Sequence, residues 1–151
     1  MLKTKYFLPI LMAIAVASCT ISGEQEEQLN NQMGNYLQSH NNGQLLQLIG
    51  LTQPEAVRFY KNQGDSLFIH HFKDLKDGEK TYLVDPTYRE MKAEGKLIQR
   101  KYWVQYYTNT AEINHRYCLY ALSEDGGDSW FFLREDEYAN SSIKGFKRLF
   151  N

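Results

Sequence analysis

Leu97-Ile98-Gln99-Arg100-Lys101-Tyr102-Trp103-Val104-Gln105-Tyr106-Tyr107-Thr108 is the stretch on which the fold turns. It is rich in aromatic and branched side chains and free of Gly and Pro, which predicts one long strand. Period two sends Tyr102, Val104 and Tyr106 to one face and Trp103 and Tyr107 to the other. Two further strands are expected downstream, over Ile113 to Leu122 and Ser129 to Arg134.

Upstream, the period changes. Leu29, Met33, Tyr36, Leu37 and His40 fall at i, i+4, i+7, i+8 and i+11, one apolar stripe of a helix from about Glu24 to His40. Leu45, Leu46, Leu48 and Ile49 predict a short second helix with Gly50 as its left-handed cap. Thr52-Gln53-Pro54-Glu55 has the form of a capping box for a third helix, which buries Val57 and Tyr60 and closes near Gly64. Ser66 to Lys73, with its Phe and Ile content, reads as a strand, and Asp77-Gly78 as the turn to a partner strand at Thr81 to Val84. Asp85-Pro86 reads as the start of a helix carrying Tyr88 and Met91 to a stop at Gly95. At the end of the chain, Ile143, Phe146 and Phe150 at i, i+3 and i+7 suggest an amphipathic helix with Lys144, Lys147 and Arg148 on its other side.

Helices segregated from an antiparallel sheet define an α+β fold. The element order resembles the nuclear transport factor 2-like, or cystatin-like, family, in which N-terminal helices pack on a curved antiparallel sheet. That resemblance implies a pocket at the open end of the sheet, with Tyr102, Val104 and Tyr106 facing Tyr36 and Leu37. Family members include ketosteroid isomerase and dehydratases as well as non-catalytic binding modules, so the fold alone names no function.

The 151 residues suit one domain of ordinary size, and a hydrophobic content of 42% excludes a disordered chain. With 17 Lys+Arg against 18 Asp+Glu, there is no electrostatic footprint for nucleic acid. At the N-terminus, Lys3 and Lys5 precede an apolar run from Tyr6 to Val16, too short to span a bilayer, which takes about 20 residues. The run ends Val16-Ala17-Ser18-Cys19, which resembles the lipobox of bacterial lipoproteins. The resemblance implies that residues 1–18 are a signal peptide, that Cys19 is acylated, and that Thr20 after the cysteine directs the protein to the outer membrane, on its periplasmic or cell-surface side. The polar and acidic residues that follow make 19–27 a tether, and 28–151 a single domain. Cys118 is then left without a disulfide partner, as a buried apolar side chain.

Ser123-Glu124-Asp125-Gly126-Gly127-Asp128-Ser129-Trp130 resembles the Asp-box of sialidases and other β-propellers. A propeller needs at least four blades of about 40 residues, more than this chain supplies. Ser123, Asp125, Gly127 and Trp130 are therefore expected to shape a hairpin and not to carry chemistry. On a strand, His70 and His71 would point to opposite faces, so no metal is expected. No nucleotide or dinucleotide fingerprint is present, and no cofactor is expected. The acidic run Glu135-Asp136-Glu137 reads as solvated.

These readings favour a lipid-anchored module that binds a small molecule or an envelope protein through Tyr36, His71, Tyr102 and Tyr106, with no catalytic residues. The alternative is a small cavity enzyme of isomerase or dehydratase type, with His71 or His70 in the pocket. The first lacks an identified ligand. The second lacks a carboxylate to orient its histidine.

Overall fold

The computed structural model describes residues 21–73, 80–83, 90–107 and 115–151. Among the described residues, four helices precede an antiparallel sheet of five strands, with a short fifth helix after the last strand, an α+β fold. The helices are α1 (Gly23–Asn41), α2 (Leu45–Leu51), α3 (Pro54–Asn62) and α4 (Asp65–Lys73). The strands are β1 (Lys80–Leu83), β2 (Glu90–Glu94), β3 (Leu97–Tyr107), β4 (His115–Ser123) and β5 (Phe131–Arg134), and α5 is Glu135–Ala139. β3 is long enough to pair with both β1 and β2 along one edge, at Val104–Tyr107 and Leu97–Lys101, and with β4 along the other. β5 closes the far side of β4, and its outer edge is bridged by Thr52 and by the Gln53 amide donating to the Phe132 carbonyl at 3.1 Å.

Alternation along the strands gives the sheet two buried faces. One packs Ile98, Tyr102, Val104, Leu119, Ala121 and Phe132 against Leu29, Met33, Tyr36 and Leu37 of α1, Leu48 of α2 and Phe72 of α4. The other packs Cys118, Tyr120, Leu122 and Leu133 against Ala56 of α3, Tyr138 of α5, and Ile143 and Phe150 of the C-terminal segment. Cys118 is free and buried, and desolvation, followed by the Glu135 charge, pushes its thiol up in pKa.

Several elements depart from the sequence reading. Residues 66–73 form helix α4 and not a strand: Phe68, His71 and Phe72 turn inward at i, i+3 and i+4, while Leu67, Ile69 and His70 face out. Residues 90–94 form strand β2 where a helix ending at Gly95 was expected, because Met91 and Ala93 reach the core with period two. Gly95-Lys96 is the two-residue turn between Glu94 and its partner Leu97. The proposed turn at Asp77-Gly78 and the cap at Asp85-Pro86 lie outside the described residues.

Gly50 sits inside α2, and the Thr52 amide closes that helix on the Leu48 and Ile49 carbonyls. The box at the start of α3 is made by Gln53, whose side chain accepts from the Glu55 and Ala56 amides, while Thr52 Oγ1 donates to the Leu48 carbonyl. The C-terminal segment forms no helix beyond α5. Gly145 (φ 96) breaks the pattern there, and Arg148 donates to the carbonyls of Tyr138, Asn140 and Ile143 in place of helical hydrogen bonds.

The acidic stretch assigned to a tether belongs to the fold. Ser22 and Gln25 form a reciprocal capping box for α1, and Glu26 makes a paired contact with the buried Arg100 at 2.8 Å on both oxygens. Ile21 packs against the first core.

Candidate functional site

The loop between β4 and β5 is organised by one carboxylate. Asp125 Oδ1 accepts from Ser123 Oγ (2.8 Å) and from the amides of Asp128 (3.1 Å) and Ser129 (2.9 Å), and Oδ2 accepts from Ser129 Oγ (2.5 Å). Desolvation opposes ionisation there, but these donors outweigh it and hold the Asp125 carboxyl at a pKa of about 2. Gly127 (φ 105) donates its amide to Ser123 Oγ and accepts Trp130 Nε1–H at 3.0 Å, so the indole is buried with its one donor satisfied. From α1, Gln25 donates to the Gly126 carbonyl and to Asp128, Gln28 donates to the Asp128 carbonyl, and Gln32 accepts the Trp130 amide. Three glutamines on one helix face thus hold the loop. Ser123, Asp125, Gly127, Ser129 and Trp130 bond to one another within the loop, an arrangement that makes shape and not chemistry.

The chemically richer site lies between α4 and α5. His71 Nε2 stands 2.7 Å from Glu137 Oε1, with the side chains 15% and 2% exposed. Glu137 was expected to be solvated. It is instead the third residue of α5, and its second oxygen accepts the Arg134 backbone N–H at 2.8 Å, folding the carboxylate back under the chain. Arg134 Nη2 approaches the same histidine nitrogen at 3.1 Å and Glu137 Oε1 at 3.6 Å. Nε2 has one position for a proton and cannot donate to Glu137 and accept from Arg134 together. Burial alone would raise the Glu137 pKa, but the His71 hydrogen bond, the Arg134 charge and the Arg134 amide outweigh it and hold the carboxyl low. An ionised carboxylate at the shorter distance takes the donor, so the network assigns the proton to Nε2 and leaves Arg134 as the neighbouring countercharge.

Tyr60 stacks on the His71 ring at 3.5 Å between centroids and 15° between planes, which fixes the imidazole from the other side. Burial and then the Glu137 charge raise the Tyr36 phenol well above its usual pKa and push Tyr60 up to about 12, so both stay protonated. His40 is lowered to about 4, first by burial and then by the Arg134 charge, so it is neutral beside the pair. Tyr36, His40, Leu48, His71, Phe72, Arg134 and Glu137 enclose a cavity of about 10 Å³, room for a single water.

Of the residues proposed from sequence, Tyr36 and His71 meet at this cavity. Tyr102 does not: it is 1% exposed in the core, with Arg100 Nη1 at 3.4 Å from its hydroxyl. Val104 is also fully buried, so the face expected to line an open pocket is filled by its own side chains where it is described. Tyr106 pairs through its backbone with Thr81 and His115, and its side chain lies outside the described residues, as does Cys19. The expectation that histidine lacks a carboxylate partner is overturned by Glu137. The sequence signal for it was a Glu three residues after the end of a strand, the N3 place of a capping box. His40 and Tyr60 fall on the inward faces expected of their helices, but nothing in the sequence brings them or Arg134 to this pair.

A second concavity, about 250 Å³, opens between the start of α3 and the β4–β5 loop. Pro54, Leu122 and Phe131 supply apolar wall, and Glu55, Glu124 and Asp125 supply carboxylates. Glu55 is paired with Arg58 at 2.7 Å. Among the described residues no group of three or more His, Cys, Asp or Glu side chains could hold a metal, and no helix is long and apolar enough to cross a membrane. No family model matches the chain, and no curated protein or solved structure is significantly similar to it.

Proposed function

We propose that this chain is a bacterial envelope lipoprotein, acylated at Cys19 and held at the outer membrane, whose nuclear transport factor 2-like domain acts by binding and not by turnover. The helices-then-sheet order and the packing of α1 across the β3 face support that fold reading. The observation that carries the binding reading is the volume beside the His71–Glu137 pair. About 10 Å³ admits a water and no substrate, so the best-placed acid/base pair is closed to chemistry. Small-molecule sites run from roughly 300 Å³ upward, and the groove at Phe131 approaches that size. Its apolar wall and carboxylate rim suit a small ligand, or a side chain of an envelope protein, with an apolar body and a cationic end.

The test is mass spectrometry of small molecules and proteins retained by the purified domain, compared with Phe131→Ala and Glu124→Lys. Retention of a cationic partner lost in both variants supports the reading, and identical retention in all three counts against it. Acylation is tested separately: Cys19→Ser should abolish incorporation of labelled palmitate.

The His71–Glu137 pair at 2.7 Å favours a second reading, a cavity enzyme that opens by displacement of α4. Turnover of any substrate that Glu137→Gln abolishes while the fold is retained would establish it over the first.

A further inference from the structure

The packing of the N-terminal residues constrains how such a protein would sit on its membrane, an inference that rests on acylation of Cys19. The fold is fastened as far as Ile21. Ile21 packs on the core, Ser22 and Gln25 cap α1 reciprocally, Gln25 and Gln28 grip the 124–129 loop, and Glu26 pairs with Arg100. Only Thr20 separates the anchoring cysteine from this fixed point. Two residues span at most about 7 Å when fully extended. An acylated Cys19 lies at headgroup depth, so Ile21 cannot leave the bilayer surface by more than that reach, and the first turn of α1, which begins at Gly23, follows close behind it. Gly126 and Asp128 are hydrogen-bonded to Gln25 and come with it. His40, fifteen residues along α1, stands off by roughly 22 Å at 1.5 Å per residue when the helix is upright.

We infer that the N-terminal end of α1 and the 124–129 loop form one face that rests on the lipid headgroups, and that α2 and the His71–Glu137 site are held away from them. The charge of this face selects the kind of lipid. Glu24, Glu27, Glu124 and Asp128 are exposed there, with Lys96 the neighbouring cation whose carbonyl accepts the Gly126 amide. An anionic bilayer repels four carboxylates held within a Debye length of about 8–10 Å. A zwitterionic surface such as phosphatidylethanolamine, with one ammonium for each phosphate and no net charge, does not repel them. The occupant of this face is therefore a zwitterionic lipid surface. The groove at Phe131 shares Glu124, Asp125 and Ser129 with the loop and so opens near the membrane.

The experiment uses the full chain, acylated in a lipoprotein-processing bacterium, with Cys118→Ser and one new thiol for a fluorophore. Glu124→Cys reports the loop, and Leu46→Cys, at a residue 85% exposed on α2, reports the opposite end. Intact mass establishes acylation before the protein enters phosphatidylcholine/phosphatidylethanolamine vesicles carrying a headgroup quencher. The Glu124 label should be quenched several-fold more than the Leu46 label. Inserting about ten Gly/Ser residues between Cys19 and Ile21 should erase the difference, and phosphatidylglycerol should reduce it. Equal quenching of the two labels in an acylated chain, or a contrast that survives the linker, overturns the orientation alone. A chain without acyl mass overturns the lipoprotein reading and the orientation with it.

Discussion

His40 shows how a single side chain couples this fold to pH. Its pKa in the folded protein is about 4 against an ordinary 6.5, because burial and then the Arg134 charge disfavour the imidazolium. The unfolded chain therefore binds a proton between these values that the folded chain refuses, and stability falls as pH drops from 6.5 toward 4. Glu137 acts with the same sign in a lower window. Its folded pKa lies below the ordinary 4.5, so its contribution is present above that value and is lost as pH falls through the folded pKa. Thermal melts from pH 7 to pH 3 should show both losses. His40→Gln should flatten the curve between pH 6.5 and 4 and leave the more acidic loss in place. Glu137→Ala should lower stability already at pH 7 by about 3–5 kcal/mol, since it leaves Arg134 and His71 facing an empty carboxylate site. A His40→Gln curve parallel to that of the parent would show that its burial does not govern the upper window.

Among the elements, the β4–β5 hairpin and α4 differ in how openly the sequence announces them. The hairpin is local: Ser123, Asp125, Gly127 and Trp130 bond to one another within eight residues, so spacing alone suggests the turn. Trp130 is 2% exposed, and its replacement by Ala should cost about 3–5 kcal/mol with loss of the near-ultraviolet indole signal; an unchanged melting temperature would detach the loop from the core. In helix α4 composition and period point to different structures. Phe68, His71 and Phe72 carry the helical spacing, but the exposed Leu67 and Ile69 fill the gaps and imitate a continuous β run. In β2 the case is the converse: Tyr88 and Met91 carry the helical spacing, and Ala93, two residues beyond Met91, carries the strand period that the fold uses. Helix α4 bears directly on the site. A strand at 66–73 hides the fact that His71 turns toward α5, and the Glu137 that it meets is 66 residues away in sequence. Long-range polar pairs of this kind leave no periodic trace. The alternation of β3, by contrast, was readable residue by residue wherever its side chains are described, because each face is buried by a different set of partners.

At the scale of the whole molecule, both faces of the sheet are covered, and the second cover is completed, beside α3 and α5, by the irregular C-terminal segment. Gln99 is fully buried on β3 and spends its amide on that segment: Oε1 accepts from the Tyr138 hydroxyl (2.6 Å) and the Leu149 amide (2.9 Å), and Nε2 donates to the Lys147 carbonyl (2.5 Å). The Tyr138 hydroxyl in turn accepts the Leu149 and Phe150 amides, both at 3.0 Å. Ile143 and Phe150, 0% and 5% exposed, cover Tyr120, Leu122 and Leu133. Ending the chain at Asn140 would remove two buried apolar side chains, worth roughly 2–5 kcal/mol each, and take from Gln99 its hydrogen bonds to Lys147 and Leu149. Set against the 5–15 kcal/mol by which domains are typically stable, the loss should leave little or no cooperative transition. The truncated chain is expected to bind hydrophobic dye and to self-associate through the uncovered sheet face. Phe150→Ala, a milder cut, should retain a cooperative melt lowered by about 3–5 kcal/mol. Calorimetry and sedimentation on the two variants separate the outcomes. A truncated chain that melts cooperatively within a few degrees of the parent, and sediments as the parent does, would mean that the helical face alone sustains the fold.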